Sequence, residues 1–321
     1  MTKKKGIFDV TIAADVLKPK EVALEPKGMT TEKALENIAR QMELNGYRER
    51  TLKDYKLIFN QFVEATGIKY VEEINVNTIY TWLENMNVGD STKLTRLKCL
   101  KAVLGKCHNN GWLPNKFWLN IQIKVDKKVK KGATSNDLNV LLSLLDTTTF
   151  IGLRDAVAIL TMYKTGVRIK TLGLIESKYI DFTDKSLILP GSIMKNHNLL
   201  KLPLDEQLLR MYKILIMQNN LIRSHYEVEN DFLFITKKGE SINGKSTNNA
   251  ISKQLNKYSK RYDLPNINAH SIRRAYAKNL YEKGVPIPII SKALGHSDLA
   301  VTTQYLDIDV EEVVDALRNY L

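Results

Sequence analysis

The sequence predicts a mainly α-helical protein with one small antiparallel β-sheet, an α+β arrangement spread over two domains. Apolar residues recur at helical spacing along most of the chain after residue 28. Short apolar runs broken by proline, glycine and asparagine in residues 185–204 indicate a few strands joined by tight loops. A lysine-rich segment, residues 124–131, separates two stretches whose patterns differ. The 321 residues, 44% of them hydrophobic, suffice for two cores.

The N-terminal part is predicted to contain an arm and a helical domain. Residues 1–28 mix charge, proline and glycine without periodicity, which indicates an extended arm. Four helices follow within residues 29–123. Gly67 is predicted to end the second helix, and Asp90 or Ser91 to cap the fourth. This domain is therefore expected to be all-helical.

A linker and a second domain complete the predicted order. Residues 124–133 form the linker, and residues 134–321 form the domain that carries the sheet. Its first helix has a predicted cap at Ser135, and the next, strongly apolar helix stops at Gly166. After the strands of residues 185–204, the pattern returns to helices.

The charge balance points to a polyanionic partner. The formal net charge is +13 and the sequence pI is about 9.4. Residues 1–130 carry 23 Lys and Arg against 15 Asp and Glu. Lysines that neutralise phosphates release condensed counterions, so such an excess favours nucleic-acid binding. A generally basic, solvated surface is the alternative.

Several classes of protein are excluded by composition. No run of about twenty apolar residues is present, so no membrane span or membrane partner is expected. The basic N-terminus is not followed by an apolar signal region, which predicts a cytoplasmic protein. Cys99 and Cys107 are too few for a disulfide framework and are expected as buried thiols.

Six residues of the second domain form a set of catalytic candidates, although each has an ordinary structural explanation when taken alone. An arginine after a helix-ending glycine can cap carbonyls, a loop lysine is usually solvated, and a tyrosine commonly lies at the edge of a core. The candidates are Arg168, Lys195, His270, Arg273, His296 and Tyr305.

Together these residue types suit a phosphodiester. Two arginines offer planar forks to the nonbridging oxygens, histidines donate further hydrogen bonds, a lysine supplies a proton and a tyrosine attacks. No acidic magnesium-binding cluster and no glycine-rich phosphate loop accompany them, so neither a metal nor a cofactor is expected. The spacing of His270, His296 and Asp298 matches no common zinc signature. No small-molecule substrate is predicted.

Four segments, "TGVRIKTLGL", "MKNHNLLKLPL", "HSIRRAYA" and "LGHSDLAVTTQYLDI", resemble in order and spacing the motifs of the tyrosine recombinase (phage integrase) family. The resemblance covers residues 134–321, and residues 29–123 resemble the family's core-DNA-binding domain less specifically. It implies that Arg168 and Arg273 clamp the scissile phosphate.

The same resemblance assigns the remaining catalytic roles. His270 and His296 would complete the phosphate site, and Lys195 would protonate the leaving 5′ oxygen. Tyr305 would attack phosphorus to form a 3′-phosphotyrosine bond.

The resemblance also implies a C-shaped clamp on double-stranded DNA, acting as a dimer or tetramer on bacterial nucleoid DNA. Residues 307–321 would pack on a neighbouring protomer or on their own domain. Basic side chains in the linker and beside the second arginine would contact phosphates. These DNA-binding candidates are Lys124, Lys127, Lys128, Lys130, Lys131 and Arg274.

One departure from the family pattern keeps a second function open. The family usually has a carboxylate three residues after its first arginine, whereas this chain has Thr171 next to Lys170. A misoriented Arg168 would slow cleavage and leave DNA binding intact. The main hypothesis is a recombinase of a phage or mobile element. The alternatives are a recombinase-fold repressor of a temperate prophage and, less favoured, a topoisomerase-like nicking-closing enzyme.

Overall fold

A computed structural model describes residues 28–126, 131–243 and 249–306, together with residues 308, 314 and 318. The chain divides into two compact units, Met1–Lys127 and Lys128–Leu321. The predicted arm, apart from Gly28, lies outside the described residues. So do Lys127, Lys128 and Lys130 of the predicted linker.

The described residues of the first unit form four α-helices. They are α1 (Thr31–Leu44), α2 (Glu49–Thr66), α3 (Val76–Glu84) and α4 (Asp90–Asn109). Gly67 ends α2 in the left-handed conformation, as predicted. The N-cap of α4 is Gly89, so the predicted cap at Asp90 or Ser91 is wrong. The core contains Phe62 and Trp82, whose rings meet edge-on at 5.3 Å.

The two cysteines are free thiols of this first unit. Cys107 is fully buried, and burial raises the pKa of its thiol to about 12. Cys99 is partly buried, and burial raises its pKa as well. The predicted burial therefore holds for Cys107 and only in part for Cys99, and in both residues the raised pKa disfavours the reactive thiolate.

The second unit combines eight α-helices with one sheet in its described residues. The helices are α5 (Ser135–Ser143), α6 (Phe150–Thr165), α7 (Ile169–Leu172), α8 (Glu206–Tyr226), α9 (Ala250–Arg261), α10 (Ala269–Glu282), α11 (Ile287–Leu294) and α12 (Leu299–Leu306). The N-cap of α5 is Thr134, whose hydroxyl accepts from Asp137 N at 3.0 Å, so the predicted cap at Ser135 is wrong by one residue.

The sheet has three antiparallel strands, β1 (Ile180–Asp181), β2 (Ser186–Leu189) and β3 (Leu200–Pro203), in the order β1-β2-β3. Leu187 and Leu202 are paired across β2 and β3, and both are buried. A mainly helical chain with one small antiparallel sheet is what the sequence predicted, and that fold class is confirmed.

Helix α6 is the central helix of the second unit and packs against α8 and α10. It carries a buried ion pair between Arg154 and Asp155. Asp155 also accepts a 2.7 Å hydrogen bond from the Tyr258 hydroxyl, and Arg154 donates to the carbonyl of Ile235 at 3.1 Å. With its hydrogen bonds satisfied, this pair holds α6 in one orientation. No helix in the described part of the chain combines the length and apolarity of a membrane span.

Candidate active site

Arg273, on α10, is 2% exposed and joins three helices. Its Nη1 donates to the carbonyl oxygen of Gly166 at the end of α6, and its Nη2 donates to that of Leu294 at the end of α11. Burial, and after it the charge of Arg168, lowers the pKa of Arg273 to about 10. The guanidinium group therefore remains charged at neutral pH.

Arg168, the N-cap residue of α7, extends its side chain towards the guanidinium group of Arg273. Gly166 ends α6 with φ of 64°, and a Cβ atom there would lie 2.3 Å from the Tyr276 ring, so the turn requires glycine. Arg168 Nη2 donates to the carbonyl oxygen of Gly295 at 3.1 Å. Burial lowers the pKa of Arg168, and the charge interaction with Tyr305 opposes that shift.

Two guanidinium N–H groups lack an acceptor within the described part of the chain. They are Nη1 of Arg168 and Nε of Arg273, and both atoms are buried. Among the described residues, no Asp or Glu forms an ion pair with either arginine. A buried cationic donor without an acceptor is costly, and an anionic oxygen removes that cost. The arrangement is suited to an incoming anion.

His296 completes this group with a defined tautomer. Its Nε2 lies 3.2 Å from Nη2 of Arg273, and its Nδ1 lies 2.9 Å from Oγ1 of Thr302. Because arginine only donates, Nε2 accepts and Nδ1 carries the proton. Burial, followed by the charges of Arg273 and Arg168, lowers the pKa of His296 to about 4. We name Arg168, Arg273 and His296 the anion cradle.

The lowered pKa of His296 predicts a pH-dependent stability in the absence of DNA. Its folded-state pKa lies below the ordinary value of 6.5, so the stabilisation is complete above pH 6.5 and is lost as pH falls towards 4. We expect the melting temperature of the wild type to fall more steeply over this window than that of His296→Gln. Thermal unfolding from pH 7 to pH 4 measures this, with exposed His225→Gln as the control. Parallel profiles for wild type and His296→Gln would contradict it.

Tyr305, on α12, is half-buried beside the anion cradle. Its ring meets the ring of His296 edge-on, with the centroids 4.9 Å apart. The guanidinium carbons of Arg274 and Arg273 lie 5.2 Å and 6.0 Å from the centre of the ring. The charge interaction with Tyr305 also favours the charged form of Arg273 and opposes the effect of burial on its pKa. The phenol is therefore in direct contact with the cradle.

Lys195 lies on the connection between β2 and β3 and is exposed. Its neighbours approach the cradle: a Cβ atom at Gly295 would lie 3.4 Å from Cε of Met194 and 3.5 Å from Nδ2 of Asn196. Because the carbonyl of Gly295 also accepts from Arg168, this connection reaches the edge of the cradle.

Thr171 is buried on α7 and contacts the same connection. Its hydroxyl donates to the carbonyl oxygen of Ile193 at 3.4 Å, so in this chain the position holds the strand connection and makes no hydrogen bond to Arg168. The side chains of Asn243 and Asn249 donate to two carbonyls of α7 at 3.3 Å and 3.1 Å. Helix α7, which follows Arg168 directly, is thus anchored without a carboxylate.

Of the other predicted site residues, His270, Lys124 and Lys131 are exposed. His270 lies in the first turn of α10, three residues before Arg273. Lys124 and Lys131 belong to different units. Lys131 and Arg274 line a cavity of about 360 Å³ that also borders Tyr305. The structure therefore brings four of the six catalytic candidates, Arg168, Arg273, His296 and Tyr305, close together, whereas His270 and Lys195 are exposed.

Sequence reasoning missed Thr302, whose hydroxyl accepts a hydrogen bond from Nδ1 of His296. It is fully buried three residues before Tyr305, and a threonine pair inside a predicted motif was the only available signal. The carbonyls of Gly166, Leu294 and Gly295, which hold the arginines, were also missed, because every residue has such a group. Among the described residues, no group of three or more His, Cys, Asp or Glu is arranged to hold a metal ion.

Comparisons with known proteins place this chain among recombinases. It is 21% identical over 292 residues to tyrosine recombinase XerA of Pyrococcus horikoshii, covering 89% of this chain and 92% of that protein. It is 24% identical over 288 residues to tyrosine recombinase XerC of Staphylococcus aureus, covering 85% and 91%.

A solved structure and a family model also match this chain. The structure of the Tn1549 transposon integrase in complex with a circular intermediate DNA matches with a TM-score of 0.70 and 14% identity, covering 92% of this chain and 100% of that one. At this identity the match establishes the fold. The model of the phage integrase family matches residues 133–312, more than half of the chain. The chain therefore belongs to the phage integrase family, the family of the tyrosine recombinases.

Proposed function

We propose that this protein is a site-specific recombinase that cuts and rejoins double-stranded DNA through a 3′-phosphotyrosine bond at Tyr305. One observation carries the proposal: a cradle with two unpaired guanidinium N–H groups touches a half-buried tyrosine. Family membership and the recombinase names of the relatives support it. A phosphodiester supplies both the anion that the cradle lacks and an electrophile for the phenol.

In the proposed reaction, Tyr305 Oη bonds to phosphorus while the bond from phosphorus to the 5′ oxygen breaks. The phenol gives its proton to water, and protonated Lys195 gives one to the leaving 5′ oxygen, which becomes the 5′ hydroxyl. The new bond keeps the energy of the old phosphodiester, so a 5′ hydroxyl reverses the step without ATP. No metal or cofactor is part of this proposal.

The cradle would act by electrostatic stabilisation. Negative charge grows on the nonbridging oxygens during the displacement, and Arg168 and Arg273 are already fixed by backbone carbonyls. His296 is neutral without DNA, and a phosphate beside it would raise its pKa towards the ordinary range. His270, at the exposed start of α10, would complete the set of donors to the phosphate.

In the proposed complex both units contact the duplex, and the basic side chains of the lysine-rich linker contact its phosphates. Structures of related recombinases are described as complexes with DNA, including a lambda integrase dimer bound to a core site. By analogy, a dimer or tetramer on DNA in the bacterial cytoplasm is proposed. The repressor alternative is not favoured, since the relatives named above are recombinases and Arg168 is held despite Thr171.

A suicide-substrate experiment tests the enzyme. The cognate site is first selected from random duplexes, and a nicked version is then offered so that the cleaved strand diffuses away. A recombinase accumulates a covalent protein–DNA adduct that resists denaturing electrophoresis. Tight, sequence-specific binding without any adduct would make the repressor the better description, and binding of every duplex alike would refute site specificity.

The lysine run predicts a strong dependence of DNA affinity on salt. Replacing Lys127, Lys128, Lys130 and Lys131 with glutamine should weaken binding to all sequences. The slope of log affinity against log salt should become shallower by up to roughly 3 to 4, because each phosphate contact contributes about 0.9.

The control for this prediction removes the same charge elsewhere, from exposed lysines that already pair with carboxylates. These are Lys53, Lys178, Lys185 and Lys201. An equal change of slope in both quadruple variants would show that net charge, and not the linker, sets the salt dependence.

A further inference from the structure

Arg274 has a contact that its sequence position did not indicate. Adjacent residues on a helix point about 100° apart, so its side chain leaves α10 in a different direction from that of Arg273. Its guanidinium carbon lies 5.2 Å from the centre of the Tyr305 ring, closer than the 6.0 Å of Arg273. This distance is within the range of a cation–π interaction.

The base of the Arg274 side chain packs against Gly132, in the segment where the chain enters the second unit. The backbone N–H of Ala133 donates to the carbonyl of Ser271 at 3.1 Å, which lays this segment across the start of α10. A Cβ atom at Gly132 would lie 3.3 Å from Cβ of Arg274 and 3.1 Å from the backbone nitrogen of Ala275. The absence of a side chain at Gly132 therefore allows this close packing.

Among the described residues, no carboxylate forms an ion pair with the guanidinium group of Arg274. Its buried Nε also has no hydrogen-bond acceptor in the described part of the chain. The Tyr305 ring also meets the ring of His296 edge-on, with the centroids 4.9 Å apart. The phenol thus contacts both a histidine of the cradle and a guanidinium outside it.

From this geometry we infer that Arg274 is a positioning residue, which holds the Tyr305 ring against His296 through a cation–π contact. The expected effect of Arg274 on the cleavage rate rests on the proposed function, whereas the contact between Arg274 and the Tyr305 ring is present without DNA. It differs from the expectation that Arg274 binds a phosphate. A phosphate contact contributes to DNA affinity, whereas positioning of the nucleophile contributes to the cleavage step.

Arg274→Met keeps an unbranched apolar stem and removes the charge. We expect single-turnover cleavage of the nicked duplex to slow by roughly 2- to 30-fold, the span of cation–π energies expressed as a rate ratio. Arg274→Lys, which keeps a cation, should recover part of the loss. Affinity for the uncleaved duplex should stay at the wild-type value in both variants.

Lys278→Met is the matched control, because Lys278 lies one turn away on α10 and lines the same cavity as Arg274. Its ammonium group is 5.7 Å from the ring of Tyr281 and forms no cation–π contact with Tyr305. This variant should cleave at the wild-type rate. Wild-type cleavage by Arg274→Met, or an equal loss of cleavage and affinity, would overturn the inference.

A DNA-free measurement separates this inference from the proposed function. Selective ¹³C labelling of tyrosine rings in the full chain, with Tyr305 assigned by its absence in Tyr305→Phe, reports the environment of that ring. The Tyr305 resonance should shift in Arg274→Met and stay in place in Lys278→Met. An unmoved resonance in Arg274→Met would overturn the positioning role even if the protein cleaves DNA. A shifted resonance would support the contact even if no adduct ever forms.

Discussion

Tyr305→Phe is expected to abolish the covalent protein–DNA adduct and leave DNA affinity unchanged. The variant removes only the hydroxyl, so the edge-on contact with His296 and the two guanidinium groups near the ring remain. No other atom of the ring can bond to phosphorus. The adduct is measured on denaturing gels with the nicked cognate duplex, and affinity is measured by fluorescence anisotropy.

Tyr163→Phe is the control for loss of a tyrosine hydroxyl in the same unit. Tyr163 bonds Ser135 at 2.9 Å and accepts from Asn279 at 3.2 Å, so this change removes real hydrogen bonds but no proposed chemistry. It should form the adduct as the wild type does. An adduct formed by Tyr305→Phe would mean that another residue is the nucleophile.

Arg273→Gln and Arg168→Gln should each lower the cleavage rate by about 10²- to 10³-fold, the usual effect of losing one preorganised donor to a developing charge. Glutamine keeps a polar amide but neither the charge nor the planar fork of the guanidinium group. Single-turnover cleavage at saturating protein separates this loss from weaker binding. Cleavage within a few-fold of the wild type in either variant would contradict its place in the cradle.

The same two variants should differ in stability, which makes the comparison more informative than either alone. Arg273 donates to the carbonyls of Gly166 and Leu294, whereas Arg168 donates to that of Gly295 only. Each buried carbonyl left unpaired costs about 1–3 kcal/mol. Arg273→Gln should therefore unfold at lower denaturant than Arg168→Gln. Equal midpoints would show that these carbonyl contacts do not hold the cradle.

Much of the fold was predictable because its signals are local. A buried helix shows apolar residues around its whole surface, and Gly166 marks its end because only glycine takes the left-handed turn beside Tyr276. Strands β2 and β3 were visible as short apolar runs before Pro190 and after the turn residues that follow it. The predicted cap at Ser135 missed by one residue because the neighbouring Thr134 takes that role, and the predicted cap at Asp90 or Ser91 failed because α4 begins after Gly89 without a side-chain cap.

The candidate site was predictable only in part. Residue types and spacing, together with the family resemblance, identified the two arginines, His296 and Tyr305. They did not indicate that Arg274 would contact the Tyr305 ring or that Thr302 would carry the hydrogen bond to His296. Nor did they reveal that the residue in place of the usual carboxylate, Thr171, contacts the strand connection.

The order of residues along the chain was enough to establish the fold class, the family and the chemical groups available to the reaction. These properties depend on side-chain type and on spacing within one or two helical turns. The protonation of His296 and the support of both arginines came from the folded chain. Arg273 meets a carbonyl 107 positions away and Arg168 one 127 positions away, and such contacts leave no periodic signal in the sequence. Burial, which lowers the pKa of His296, exists only once those distant segments have packed.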